Sequence, residues 1–222
     1  MPKDRPPNEQ RVVLPSITWE KFEQILSELP ADRQIRLTYH RGKLEMMTPV
    51  AEHERCQKLL DSLILVLADE LDRPIKALAP VLIKSRELDI ATEPDACYCF
   101  SSGGHRNTAP DRDRVQIHLP ADSPPDLLVE VALTQTKLDK LPLYTRLAIP
   151  EVWRYITTAG EDVLKGKLEI YYLQGDRHTP QRHSAVFPGL SSDRILEFIE
   201  QSDSMSLSAS LRLLRAWIQE KL

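Results

Sequence analysis

The sequence predicts an α/β fold: a mixed central sheet flanked by helices, preceded by a helix and a hairpin and closed by C-terminal helices. Three observations predict it. The segment DLLVEVAL (126–133) is apolar on both faces apart from Glu130, the pattern of a strand covered on both sides. Residues 52–71 set Cys56, Leu59, Leu60, Leu63 and Leu67 on one helical stripe. Alternating and helical segments follow one another along the chain, with no internal repeat and no low-complexity stretch.

The elements follow in order. Residues 1–15 are proline-rich and mixed in charge and read as a flexible tail. Thr18 caps a first helix with Trp19, Phe22, Ile25, Leu26 and Leu29 at helical spacing, ended by Pro30. Ile35, Leu37 and Tyr39 alternate with polar residues, Arg41-Gly42 makes a turn, and Leu44 and Met46 follow, which is a hairpin. In the helix over 52–71, Glu52 and His53 lie on the flanks of the apolar stripe while Glu54 points away. Strands are expected over Pro80–Lys84, Glu93–Phe100, Arg114–Leu119 and Asp126–Leu133.

Leu138 to Ala148 reads as a helix capped by Asp139, with Lys140 at its first position, Pro142 in its first turn and a Leu138/Leu143 staple. Two strands, Glu151–Ile156 and Lys167–Leu173, flank a turn at Gly160, and helices over Ile195–Ile199 and Leu207–Leu222 end the chain. One domain over 16–202 is expected, with 203–222 as a C-terminal helix packed on it or at a dimer contact.

Composition excludes several classes. With 222 residues and 41% hydrophobic content, the chain is of globular rather than disordered type. A net charge of −4 gives no global attraction to nucleic acid, so a nucleic-acid enzyme must gather its basic residues locally. Three cysteines build no disulfide framework, the charged N-terminus has no secretory apolar region, and no apolar run spans a membrane. A reducing, cytoplasmic setting is expected.

The chemistry centres on Glu130. A glutamate in so apolar a strand is a strand end, a salt-bridged group or a metal ligand. Asp126 lies on the same face, but four residues of strand span about 13 Å, too far to share one ion. Asp95 begins another strand, and neighbouring strands lie about 4.8 Å apart. Two carboxylates at that separation repel unless a cation lies between them, and magnesium, which takes oxygen ligands and keeps several waters, is the expected ion. Lys140, at a helix start one short loop after Glu130, is placed to meet a phosphate. These parts suit phosphodiester hydrolysis, with a metal polarising the phosphoryl oxygen and a lysine stabilising its charge.

Cys97, Cys99 and His105 lack zinc spacing, His178 and His183 fall in an expected loop, and Ser101–Gly104 lacks the residues of a phosphate cradle. Trp153 is expected in the core.

The segments LEMMTPVAEHE (44–54), EPDACYCF (93–100) and PPDLLVEVALTQTKLDKLPLYTRLAIPEVWRY (124–155) resemble a bacterial family of "putative restriction endonucleases". That family, once a domain of unknown function, is a branch of the PD-(D/E)XK nuclease superfamily. The resemblance runs from about Thr18 to at least Phe198, and KLPLYTRLAIPEVWRY is its most specific block. It implies a restriction-endonuclease-like core and a metal-dependent endodeoxyribonuclease that uses Mg2+, with Mn2+ as a substitute. It implies DNA as partner and a homodimer.

Residue by residue, it implies Asp95 and Glu130 as metal ligands and Lys140 as a lysine moved from the strand to the next helix. His53 matches a recurrent histidine of the first core helix, and Glu52 is its alternative. One position departs: the superfamily's E-x-K pattern puts lysine at 132, where this chain has Ala132, and related chains often carry an acid there. A catalytically inactive module binding nucleic acid or a protein partner is therefore the competing expectation. An unrelated hydrolase or a structural domain is a third, favoured by Asp95 and Glu130 lying more than about 10 Å apart.

Overall fold

The computed structural model describes residues 10–30, 32–78, 81–100, 116–133, 139–157 and 164–222. Residues 10–14, expected in a loose tail, form strand β1 (Gln10–Leu14). Helix α1 (Trp19–Glu28) follows, and the hairpin is β2 (Arg36–His40) and β3 (Lys43–Thr48). Strand β1 pairs antiparallel with β3, and Arg11 donates to Glu45 across that pair at 2.8 Å. The edge of a hairpin captures the segment, a contact too distant in sequence for composition to reveal.

The Thr18 hydroxyl accepts the Lys21 N–H at 3.2 Å, and the chain turns extended at Leu29, as the residue before a proline must. The α1 face buries Trp19 and Phe22 against Tyr39, with ring centroids 4.9 to 5.5 Å apart. Arg41 and Gly42 take φ of 46° and 77°, the left-handed pair of a tight hairpin turn.

Helix α2 (Ala51–Glu70) buries Cys56, Leu59, Leu60, Leu63 and Leu67, as the stripe predicts. Strands β4 (Ile75–Leu78), β5 (Leu82–Ser85), β6 (Ile90–Thr92), β7 (Ala96–Phe100), β8 (Gln116–His118) and β9 (Leu127–Ala132) follow. Next come α3 (Leu141–Arg146), β10 (Glu151–Ile156), β11 (Lys167–Gln174), β12 (Arg177–Gln181), α4 (Ser192–Ser204) and α5 (Leu207–Lys221). The expected parts of the chain that lie outside the described residues are residues 1–9 of the tail, Pro80, Ser101–Gly104, His105, residues 114–115, Leu138 of the staple and the Gly160 turn.

The strands make two six-stranded mixed sheets rather than one. The first runs β1-β3-β2-β6-β5-β8 and the second β12-β11-β10-β9-β7-β4. The switch between them is Glu93-Pro94-Asp95. Strand β6 ends in the first sheet and β7 begins in the second, so the expected strand over 93–100 starts only at Ala96. Pro94 has no N–H with which to continue a ladder.

One apolar core lies between α2 and the Val129, Val131, Trp153 and Tyr155 face of the second sheet, with α4 and α5 adding Phe198, Leu214 and Ile218. A second joins Ile83, Ile90 and Ile117 of the first sheet to Cys97, Leu128 and Val152 of the second and to Leu143 and Tyr144 of α3. His178, expected in a loop, lies in β12, paired with β11 through a turn at Gly175. Among the described residues no helix is long and apolar enough to cross a membrane.

Glu151 shows how this sheet holds a later loop. Its buried carboxylate accepts from the Trp153 indole at 2.6 Å, the Ser184 hydroxyl at 2.7 Å, and the Ala185 and Val186 N–H groups at 3.0 Å. Replacing Glu151 by alanine orphans buried donors and is expected to lower stability by about 2–3 kcal/mol in urea unfolding. An unchanged midpoint would show that water satisfies those donors.

Candidate functional site

Strand β9 lies between β7 and β10 in the second sheet. Its odd residues face α2, so Glu130 shares the opposite face with Leu128, toward α3. Strand β7 runs antiparallel to it with Ala96 opposite Val129, and Asp95 stands one residue before that pair. The Asp95 carboxylate accepts the Val131 N–H at 2.7 Å, which ties it directly to the strand of Glu130. The expected neighbourhood of the two acids is present, and the wide separation that would favour the third expectation is not seen.

Each acid has its own holder. His53, fully buried on the first turn of α2, meets Asp95 Oδ1 through Nε2 at 2.7 Å. One turn along the same helix, the Gln57 amide donates to the Asp95 carbonyl at 2.6 Å. Lys140 Nζ lies 3.2 and 3.0 Å from the two Glu130 oxygens, and the Tyr144 hydroxyl donates to Oε1. Lys140 and Tyr144 stand four residues apart, which turns both toward Glu130. Glu93, at the strand switch, is held by Arg33 and by the Leu37 N–H at 2.8 Å.

Two expectations change here. Lys140 is the N-cap of a short helix rather than its first residue, and it is buried in an ion pair with Glu130. Asp139, expected as the cap, accepts the Leu141 N–H at 3.2 Å. The shift follows from that Asp139 turn, which places one further residue before helical backbone begins. Glu52 is partly exposed and joins none of these contacts, so of the two candidates on α2 it is His53 that reaches Asp95. Asp126 caps the pairing of β7 and β9, accepting the Phe100 N–H at 2.7 Å, and takes no part in the cluster.

Sequence reasoning missed Tyr144, and the Lys-x-x-x-Tyr spacing of KLPLY was the signal available for it. It also missed Arg36, whose Nε stands 3.9 Å from Asp95 Oδ1, because that residue arrives from the other sheet.

The electrostatics separate the two acids. Burial raises the Glu130 carboxyl, and the charge of Asp95 adds to it, so that it stays above the ordinary glutamate value despite Lys140. Burial also opposes ionisation of Asp95, but His53, Lys140 and the Val131 N–H outweigh it and hold the group below the ordinary aspartate value. Glu130 is therefore the acid that takes up a proton first as pH falls.

The donor set fits magnesium rather than zinc. Magnesium is commonly bound by one or two carboxylates with water completing its shell, and Asp95 and Glu130 supply that number. Among the described residues there is no group of three or more His, Cys, Asp and Glu placed to hold a metal. The cysteines are poor ligands: burial pushes the Cys99 thiol up to about 11 and the Cys97 thiol higher still, against the thiolate form that binds metals. Ala132, at the end of β9, offers no side-chain ligand.

In fold, the chain resembles the crystal structure of a "putative nuclease belonging to DUF820" from Anabaena variabilis ATCC 29413. The TM-score is 0.52 at 15% identity, covering 82% of this chain and 99% of that one. No curated protein matches the chain. Residues 19–206 match the model of the Uma2 family, described as "Putative restriction endonuclease". That match takes in every strand but β1 and every residue of the cluster, and by it the chain belongs to the Uma2 family of "putative restriction endonucleases".

Proposed function

We propose that the chain is an endonuclease that hydrolyses phosphodiester bonds in DNA with a divalent cation, Mg2+ or in its place Mn2+, held by Asp95 and Glu130. The observation that carries this reading is a pair of buried carboxylates, Glu130 on β9 and Asp95 just before the neighbouring β7, each fixed by its own basic partner. When bound, the cation supplies Lewis acidity toward the phosphoryl oxygen and a nucleophile at neutral pH. His53 orients the Asp95 carboxylate and keeps it ionised. Tyr144 fixes the orientation of Glu130. Lys140 neutralises Glu130 while the site is empty and presents its charge to the scissile phosphate when the cation takes over that task. Basic residues gather here despite the acidic whole, with Arg154 beside Glu130 in the β10 register and Arg33 and Arg36 beside the strand switch.

The reading includes a homodimer, which would present two sites to the two strands of a duplex, and a reducing cytoplasmic setting consistent with three free cysteines. Purified protein is expected to cut duplex DNA with magnesium or manganese and to stop with chelator. No cleavage with either ion would sink the reading. Ala132 favours a second one, a nuclease-fold module that binds DNA without cutting it. That module predicts salt-sensitive binding and no hydrolysis under any divalent ion.

Metal binding should depend on pH through Glu130. Ligating carboxylates must be deprotonated, so affinity is present above the raised value of Glu130 and declines as pH falls through it, at a pH above the ordinary 4.5. Asp95 is the opposite case and remains ionised to below 3.8. Manganese titrations from neutral to acid pH check this, and an affinity flat down to the ordinary glutamate range contradicts it.

A further inference from the structure

We infer that Arg36 is a phosphodiester-binding residue of this site, supplied by the first sheet to the acids of the second. The inference rests on the nuclease reading and names a residue that binds the substrate backbone.

Arg36 opens β2, and its neighbour Leu37 packs in the core beneath α1. Alternation therefore turns Arg36 and Thr38 to the other face, toward the second sheet. Thr38 meets Thr92 there at 3.4 Å, and Thr92 lies close to Tyr144, the residue that holds Glu130. Arg36 thus stands on the wall that faces the acids.

Its own contacts are incomplete. The guanidinium approaches Asp95 at 3.9 Å and Glu54 at 4.0 Å, both beyond hydrogen-bond reach. Asp95 is already occupied, by His53 and by the Val131 N–H, each at 2.7 Å. Arg36 Nε is buried with no hydrogen-bond partner among the described residues. Arg33 of this region shares the unpartnered Nε, but its terminal nitrogen is closed in a hydrogen-bonded pair with Glu93, which no nitrogen of Arg36 is among the described residues. A guanidinium left with free donors, its side chain 14% exposed beside a carboxylate cluster, lacks a planar anion rather than a counter-charge. A phosphodiester offers two oxygens in the geometry that the arginine fork takes up as a pair.

The test compares the wild-type chain with Arg36→Gln, Arg36→Lys and the control Arg86→Ala, an exposed arginine paired with Glu20 away from the cluster. Three quantities are measured: affinity for a short labelled DNA duplex in chelator across a salt series, KM and kcat for cleavage in magnesium, and the melting temperature. Arg36→Gln is expected to bind about ten- to a hundredfold more weakly, with the salt slope reduced by about 0.9, one phosphate contact. Arg36→Lys is expected to keep the slope, because it keeps the charge, yet bind several-fold more weakly without the fork. Arg86→Ala should match wild type.

If wild type binds and cuts while Arg36→Gln changes neither affinity nor slope, the arginine inference is overturned and the nuclease reading stands. If Arg36→Gln does not fold, Arg36→Lys decides, and wild-type affinity in that variant overturns the paired contact. If wild type neither binds nor cuts with magnesium or manganese, the nuclease reading falls and takes this inference with it.

Discussion

Replacing Lys140 by methionine is expected to destabilise the protein by about 3–5 kcal/mol near neutral pH. Methionine keeps most of the volume, so the loss is electrostatic. Lys140 is the ammonium that contacts both oxygens of Glu130, at 3.2 and 3.0 Å. Without it, Glu130 is a buried charge facing the charge of Asp95, with only the Tyr144 hydroxyl for support. The sign of the pH dependence follows. The Glu130 carboxyl, already raised, rises further in the variant, so the cost is greatest above that value and shrinks as pH falls and the group takes up a proton.

Divalent cations separate this effect from a packing defect. A cation bound between Asp95 and Glu130 replaces the missing charge, and at a hundred times its dissociation constant it restores about 2.7 kcal/mol. Thermal unfolding of Lys140→Met with and without magnesium is the measurement. If magnesium leaves the melting temperature of the variant unmoved at every concentration, Asp95 and Glu130 are not a cation site.

Glu130→Gln is expected to lower metal-dependent DNA cleavage by at least about a hundredfold while leaving a folded protein, the scale on which removal of one electrostatic group acts in catalysis. Glutamine retains one carbonyl to accept from Lys140 and Tyr144, while its amide NH2 replaces the second acceptor of Lys140, so the cluster loses one charge and one hydrogen bond. The same variant is expected to lose the stabilisation that magnesium confers on the wild type. Cleavage at the wild-type rate would remove Glu130 from the chemistry, whatever its burial. Asp95→Asn is the companion measurement, since Asp95 is the acid that remains ionised to lower pH.

Part of this site is legible in the chain itself. Glu130 stands out because a carboxylate interrupts a strand otherwise apolar on both faces, and burial of such a group demands a partner. Strand spacing removes Asp126 and leaves Asp95, and the structure places Asp95 one residue before the partner of Val129. The position of His53 on the flank of the α2 stripe puts it where a buried polar residue has to find an acceptor.

Other features are not legible. Composition gives no sign that residues 10–14 pair with β3, because their partner lies more than thirty residues away in the register Gln10 to Thr48. The division into two sheets hangs on Pro94, and a single proline in an alternating stretch marks an edge as readily as a switch. The helix start from which Lys140 is read is displaced by one residue by the Asp139 turn, and the ion pair of Lys140 with Glu130 is a contact that a helix-start pattern does not show.

The sequence alone determined the α/β class, the α2 stripe, the capped first helix and its hairpin, and the importance of Glu130, because each follows from local periodicity or from the cost of burying charge. Tertiary structure alone decided that the sheet divides at Glu93-Pro94-Asp95, that Lys140 and Tyr144 close on Glu130, and that Arg36 comes to Asp95 from the opposite sheet. Those are contacts between side chains distant in sequence, and their energy depends on separations of a few ångströms that no local pattern encodes.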